Sequence, residues 1–360
     1  MYKYTDLEEF TRLVFVKMGC PEEDAALAAK ILVSADLRGI DSHGVARLPG
    51  YVRLQSLNRV NPKPNIRIIH QTPSTAVVDG DAGLGLVVAP KAMEIAIEKA
   101  QQVGSSWVAI RNSNHFGIAG YYAMMALQHD MIGIAMTHAG PLVAPTFSQD
   151  KLLGTNPIAI AIPANKQPPF VADFATTTAA YGKLEMLQRK GQATPAGWVQ
   201  DAEGKPSTDA HAVKNGGALL PLGGDREHGS HKGYCLGSMV DILSGVLSGA
   251  NYGPWVPPFA TAGFMGTATH LVGAGTGHML GAMRVDAFRP AQEFKKHMDN
   301  WIDTFRAAKP IEGENFVQIP GDAERIIEAE RKANGIPLLT PVAESLSEIA
   351  AKFGLPFKRN

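Results

Sequence analysis

The chain has 360 residues, with 34 Lys and Arg against 34 Asp and Glu, so it carries no net charge, and 45% of it is hydrophobic. That length and composition allow a large buried core in two domains or one elaborate one. The even charge argues against nucleic acid, which demands concentrated positive charge. Cys20 and Cys235 alone form no disulfide framework and fit a reducing cytoplasm.

The acidic start, Met1 to Glu9, lacks the apolar core of a secretion signal, and no apolar run approaches a bilayer-spanning length, so no membrane partner is expected. Thr5-x-x-Glu8 reads as a capping box before a helix whose apolar face includes Leu7, Phe10, Leu13 and Val14. Cys20-Pro21 ends it, and residues 22–38 read as a second helix with Ala25, Ala28, Ala29, Leu32 and Ala35 facing the core. Gly39 to Tyr51 follows, with Asp41 and Ser42 able to cap a new helix. In helical geometry His43, Arg47 and Tyr51 fall at i, i+4 and i+8 on one face, bringing a proton-transfer group, a fixed cation and a phenol into one space. Pro49 works against a continuous helix there. Taken alone, a histidine in a turn is more often merely hydrogen-bonded than catalytic.

Residues 58–75, with Pro62, Pro64 and Pro73, read as an extended connector. A strand near 76–79 leads to a Gly-rich turn at Gly80, Gly83 and Gly85, and a helix from about Pro90 to Gln102. The spacing is not that of a dinucleotide fingerprint, since Val88 stands where helix and strand should touch. Trp107 to Ile110 is a buried strand, Asn112 to Gly117 turns into a helix ending near His129, and Met131 to Met136 completes a strand–helix–strand unit. His115, in the polar loop at a strand end, is a second proton-transfer candidate, unless it and its asparagines only satisfy the turn.

Gly154-Thr155-Asn156-Pro157 precedes the apolar strand 158–162, and Phe170 to Ala172 leads into Asp173 before a Thr176-Thr177-Thr178 cluster. That carboxylate can orient a histidine or a ribose, or cap the helix starting in the Thr cluster. Residues 190–230 read as a long ordered loop ending at Gly229-Ser230-His231-Lys232-Gly233. The helix that begins there is nearly all apolar, predicting a central, buried element. A lysine at its positive end suits an anion such as a pyrophosphate. Gly273 to Gly277 reads as structural, because a strand and not a helix follows it. The 11 histidines show no zinc spacing with Cys, and His228-x-x-His231 lacks further ligands, so no metal is expected. From Pro290 the chain returns to helices over about 290–307, 322–334 and 340–353.

Ser42-His43-Gly44-Val45-Ala46-Arg47-Leu48, Arg111-Asn112-Ser113-Asn114-His115-Phe116-Gly117, Gly154-Thr155-Asn156-Pro157, Asp173-Phe174-Ala175-Thr176-Thr177, Gly229-Ser230-His231-Lys232-Gly233-Tyr234 and Ile319-Pro320-Gly321-Asp322 form a collinear set. The set resembles the type-2 malate/L-lactate dehydrogenase family, which also includes L-sulfolactate, ureidoglycolate, diketogulonate and cyclic-imine reductases. The resemblance spans nearly the whole chain. It implies an NAD- or NADP-dependent dehydrogenase acting on a CH–OH group, interconverting a small 2-hydroxy acid and its 2-oxo acid, with malate/oxaloacetate or L-lactate/pyruvate first. It assigns proton transfer to protonated His43 with His115 and Asp173, and substrate binding to Arg47 and Tyr51. Cofactor contacts fall to Ser42, Thr155, Asp173, Phe174, Ala175, Thr176, Thr177, His231, Lys232, Pro320, Gly321 and Asp322. It also implies a homodimer. The expected architecture is α/β (mixed α+β): a non-Rossmann mixed-sheet cofactor domain over 73–285, flanked by a helical domain built from 1–72 and 286–360. A non-redox His/Asp lyase or hydrolase is the runner-up, without a G-x-S-x-G elbow to support it.

Overall fold

A computed structural model describes residues 1–259 and 271–357. Helix α1 (Tyr4–Lys17) buries Leu7, Phe10, Thr11, Val14 and Phe15, the i, i+3, i+4 stripe expected of it. Thr5 does not cap it: the helix starts a residue earlier and Thr5 already lies inside its first turn. Helix α2 (Glu22–Leu37) packs against α1 through Ala25, Ala28 and Ala29, all fully buried, with three acidic residues in its positive first turn.

The next stretch departs from the single helix expected. Two 3-10 turns, Asp41–His43 and Val45–Arg47, precede helix α3 (Leu48–Ser56). Pro49 sits in the first turn of α3, where its missing N–H costs nothing. His43, Arg47 and Tyr51 therefore do not share one helical face.

Strand β1 (Arg67–Gln71), unforeseen within the connector, pairs antiparallel with β2 (Thr75–Asp79). Helix α4 (Gly85–Val103) begins five residues earlier than expected and carries Pro90 in its second turn. Strand β3 (Ser105–Ser113) runs parallel to β2, and α5 (Ala119–Met125) leads to β4 (Met131–Thr137). Strands β5 (Ile158–Ile162) and β6 (Phe170–Phe174) follow, then α6 (Tyr181–Lys190). The stretch read as a long loop carries a small sheet of β7 (Val199–Gln200), β8 (Pro206–Ser207) and β9 (Ala218–Leu219). Val199 and Leu219 build its core with Val143, Leu153 and Leu184.

Helix α7 (Ser230–Asp241) continues into a wider turn over 242–246. Strand β10 (Thr276–Arg284) then inserts between β3 and β4, antiparallel to both, giving the order β1-β2-β3-β10-β4-β5-β6. The strand–helix–strand unit β3–α5–β4 is present as expected, with β10 lying between its two strands. Val108, Ile110, Ala135 and Leu280 face the core shared with the N-terminal helices, while Ala109, Met136 and Met279 face Val240 of α7. The glycines before β10 and at its start stand where no side chain fits: a Cβ on Gly273 would meet the Ala250 carbonyl at 2.2 Å, and one on Gly277 the Ser244 carbonyl at 1.9 Å. Only one face of α7 and of the turn that continues it is buried, however: Met239 of α7 is 55% exposed, and Ile242, Val246 and Leu247 beyond its end are 53, 51 and 57% exposed, which corrects the expectation of an all-round core helix.

Helices α8 (Ala291–Arg306), α9 (Asp322–Asn334) and α10 (Thr340–Phe353) match the predicted C-terminal set. The two chain ends pack together, with Phe357 stacked on Tyr2 and tilted against Phe10, and Arg331 of α9 bonding Asp41 and the Asp36 carbonyl. The result is a mixed seven-stranded sheet flanked by helices from both ends of the chain. No helix among the described residues is long and apolar enough to cross a membrane.

Candidate functional site

The loop leaving β3 is tied down by Asn114, buried, whose amide donates to the carbonyls of Ala82 (2.9 Å), Gly83 (3.0 Å) and Arg59 (3.3 Å). Gly85 lets α4 start against this loop, since a Cβ there would lie 2.2 Å from the Asn114 carbonyl and 2.6 Å from that of His115. The Gly-rich turn thus serves the loop's position. On the other side, the buried Asp36 carboxylate accepts the Val45 N–H at 2.7 Å, and a Cβ on Gly44 would sit 2.1 Å from its Cγ. Burial pushes the Asp36 carboxyl well up.

These two anchors bring His43 and His115 together, their rings stacked at 5.8 Å and 18°. His115 Nδ1 accepts the Gly117 N–H at 3.3 Å and lies 2.7 Å from the Tyr51 hydroxyl. A backbone N–H can only donate, so Nδ1 is unprotonated, Tyr51 donates to it, and the ring proton of neutral His115 is on Nε2. His43 Nδ1 meets Ser42 Oγ at 2.9 Å. Burial first, and the Arg47 cation second, hold the His43 pKa down at about 3. Burial also drives His115 well below its usual range, helped by Coulombic repulsion from the Arg47 cation and from His43 and His278 when those are protonated. Both imidazoles are thereby held neutral at neutral pH, so the proton that His43 is expected to supply has to be taken up against this burial.

His43 and His115 line one cavity with Arg59, Asn114, Thr137, His138, Thr155 and Phe259. Tyr51 does not: it is fully buried behind His115, which makes it a positioning residue and not the substrate-closing phenol expected. Arg47 flanks His43, its Nε bonded to the Ser42 carbonyl and its Nη2 3.6 Å from Glu185 on α6. A Cβ on Gly182, in the same helix, would press on Ser42 Cβ at 2.8 Å, so α6 lies directly over this segment.

Asp173 reaches neither histidine. Its Oδ2 accepts the Gly120 N–H at the start of α5 at 2.7 Å, so it caps that helix and not one in the Thr cluster. Solvent touches it from one side, yet protein surrounds the carboxyl, and that desolvation pushes its pKa up to about 6 against the Gly120 bond and Arg38. Thr155, on the cavity wall, accepts through its carbonyl both the N–H (3.0 Å) and the hydroxyl (3.2 Å) of Thr176. Thr176 in turn lies against Gly237 of α7, whose added Cβ would be 3.1 Å from its hydroxyl. The hydroxyls of Thr176 and Thr177 donate to main-chain carbonyls and hold structure. Phe174 is exposed and Ala175 half-buried. The Pro320 carbonyl takes the Val171 N–H at 3.0 Å, joining the Pro320-Gly321-Asp322 turn to the other end of this strip. Asp322 is already engaged, accepting from Ile319 N–H, Arg306 and Arg325. His231 and Lys232 are exposed on the first turn of α7, and no carboxylate among the described residues pairs with Lys232. Of the predicted cofactor residues, Thr155 and the 173–177 and 320–322 segments are joined by these contacts, Ser42 stays beside His43, and His231 and Lys232 lie on the helix that Thr176 meets at Gly237.

Sequence reading missed three residues of this site. Asn156 takes positive φ, accepts the Ala139 N–H and donates to the Gly237 carbonyl, a role its Asn-Pro dipeptide could have signalled. His278, in the middle of β10, bonds Thr137 Oγ1 (2.7 Å) and Ser113 Oγ (2.8 Å), and no local pattern marks it. Arg59 stands in a stretch read only as a connector.

A sequence model described as malate/L-lactate dehydrogenase matches residues 2–347. The chain is 44% identical over 351 residues to malate dehydrogenase of Pyrococcus abyssi, covering 97% of this chain and 94% of that one. It is 42% identical over 343 residues to L-sulfolactate dehydrogenase of Methanocaldococcus jannaschii, covering 95% and 94%. The solved structure of malate dehydrogenase from Pyrococcus horikoshii superposes with a TM-score of 0.89 at 41% identity, covering 99% of this chain and 96% of that one.

Proposed function

From the premise that this chain belongs to the malate/L-lactate dehydrogenase family, we propose that it interconverts a small 2-hydroxy acid and its 2-oxo acid with a nicotinamide cofactor, malate and oxaloacetate first. The observation that carries this reading is the stacked His43–His115 pair on a shared cavity, with His115 Nδ1 occupied from behind.

The residues present fit a dinucleotide: an exposed Lys232 without a carboxylate partner among the described residues, at the positive end of α7, and a strip from Asp173 to Thr177 connecting it to the cavity. When bound, NAD or NADP supplies or takes up the hydride. The remaining work falls to the chain. Arg47 holds the substrate carboxylate, displacing Glu185 from its 3.6 Å contact. His115 presents Nε2–H to the carbonyl oxygen. An anionic substrate beside the imidazoles offsets the desolvation that keeps them neutral, so a proton is taken up with the substrate on His43, whose Nδ1 faces the Ser42 hydroxyl and no backbone N–H, and passes from His43 to the oxygen. His115 supports that transfer through its Nε2–H hydrogen bond, and Tyr51 holds the His115 ring.

The exposed Met239 of α7 and Ile242, Val246 and Leu247 of its continuation support a homodimer, because a continuous apolar face of this kind is normally covered. The two free thiols, Cys20 buried and Cys235 exposed, support a reducing cytoplasmic setting. The test is stoichiometric oxidation of NADH and of NADPH, each offered with oxaloacetate, pyruvate, sulfopyruvate, diketogulonate and a cyclic imine. Turnover of at least one 2-oxo acid with one of the two cofactors is expected, and none with any pairing overturns the reading.

A further inference from the structure

The buried Arg38 and the part-buried Arg47, Arg306 and Arg325 each meet a carboxylate: Glu328, Glu185, and Asp322 for the last two. Arg59 is different. Its guanidinium lines the same cavity as His43 and His115, and its one hydrogen bond among the described residues runs from Nη1 to the Pro258 carbonyl at 2.9 Å. No carboxylate pairs with it among the described residues, and residues 260–270 contain no Asp or Glu. Burial lowers its pKa, yet a guanidinium does not deprotonate in a protein, so the site carries a partly desolvated, uncompensated positive charge. It is also well anchored. The Arg59 carbonyl accepts the Asn114 amide at 3.3 Å, which ties it to the residue preceding His115.

Two cations therefore lie near the histidine pair, and they differ in place and state. Arg59 is on the cavity wall and meets only a neutral carbonyl among the described residues, while Arg47 lies outside that lining, beside His43, with Glu185 and the Ser42 carbonyl as partners. A 2-oxo acid with one carboxylate can neutralise only one of them. An acid with a second anionic group beyond the reacting carbon can reach both.

We propose that Arg59 is a specificity-determining residue that binds the second acid group of a dianionic 2-oxo acid, carboxylate or sulfonate, opposite the carboxylate held by Arg47. This assignment rests on the oxidoreductase reading above. It makes selectivity for dianions a property of a single side chain lying outside the motif segments.

The experiment compares kcat/KM for oxaloacetate, sulfopyruvate and pyruvate in the unmodified chain, Arg59→Met and Arg59→Lys, with circular dichroism and Tm confirming that each variant is folded. Removing a charge-assisted hydrogen bond from a site of this kind lowers the oxaloacetate-to-pyruvate ratio by about 10- to 100-fold in Arg59→Met, chiefly through KM. Arg59→Lys restores part of that ratio, because the charge remains and the two-point fork does not. A parallel fall for sulfopyruvate identifies a site for either acid group, and a fall for oxaloacetate alone identifies a carboxylate site. A ratio that stays within about threefold of the unmodified chain overturns the assignment of Arg59 and leaves the oxidoreductase reading standing. Absence of turnover by the unmodified chain with all three acids overturns both.

Discussion

Tyr51 and His115 are joined by a 2.7 Å hydrogen bond from a fully buried phenol to Nδ1, and the Gly117 N–H shares that acceptor. Both donors approach from the protein side, so the ring is fixed in orientation and in tautomer before any ligand arrives. Burial raises the Tyr51 phenol far above its ordinary range, so it remains a donor throughout the working pH span. The motif that contains His115 supplies one of these donors, Gly117, and Tyr51 supplies the shorter bond from outside it.

Tyr51→Phe removes the donor while keeping the ring that packs edge-on against Phe15 and Phe259. The expected result is a fall in kcat of about 10- to 100-fold with little change in KM, because the imidazole loses the shorter of its two Nδ1 bonds and keeps only the longer one from Gly117. The pH–rate profile should shift as well, which a purely structural role would not produce. An unchanged profile and kcat would remove Tyr51 from the mechanism.

Glu185→Gln frees Arg47 from the one carboxylate it meets among the described residues. The pair is 3.6 Å apart and both side chains are partly solvated, so its strength is at most about 1 kcal/mol. If substrate must displace Glu185, the variant lowers KM for the 2-oxo acid by up to about fivefold. Arg47→Met, by contrast, raises KM for every acid substrate. A Glu185→Gln KM equal to or higher than that of the unmodified chain would place the substrate carboxylate elsewhere.

Acid stability follows from the buried histidines. His43 and His278 titrate at about 3 in the fold against 6.5 unfolded, and the same burial holds His115 well below that unfolded value. Below 6.5 the unfolded chain therefore binds more protons, and stability falls as pH drops toward 3. Asp173 acts in the opposite sense, since its carboxyl sits near 6 in the fold against 3.8 unfolded, and it offsets part of the loss between those values. His278→Gln, which keeps polar contacts available to Thr137 and Ser113, should flatten the stability–pH slope by up to about 1.4 kcal/mol per pH unit in that window. Urea unfolding at a series of pH values measures the slope.

Much of this arrangement is legible in the sequence, for identifiable reasons. The C-terminal helices and strands β4 and β5 have local apolar periodicity, and the motif segments sit at element ends where polar residues interrupt that pattern. What stayed hidden depends on distant partners. Strand β10 separates β3 from β4 through pairs such as Leu280 with Val108 and Ala135, a relationship no local window contains. The helical face linking His43 to Tyr51 fails because the close contact of Gly44 with Asp36 breaks the turn. Arg59 looked like an ordinary basic residue because its lack of a counter-charge emerges only once the cavity is assembled.

The exposed side of α7 and of its continuation bears on assembly. Met239, Ile242 and Val246 recur at the three- and four-residue spacing of one helical stripe, while Gly237 and Val240 face inward. A continuous strip of this kind costs solubility unless a second surface covers it, and α7 also carries Lys232. Val246→Asp should therefore convert a dimer to monomer, read by light scattering after size exclusion, without unfolding the chain, since the side chain is already 51% exposed. Because the same helix bears the proposed phosphate contact, the monomer should also bind NADH or NADPH more weakly in a fluorescence titration. A dimer that persists in Val246→Asp and in Met239→Asp would show that some other face joins the subunits.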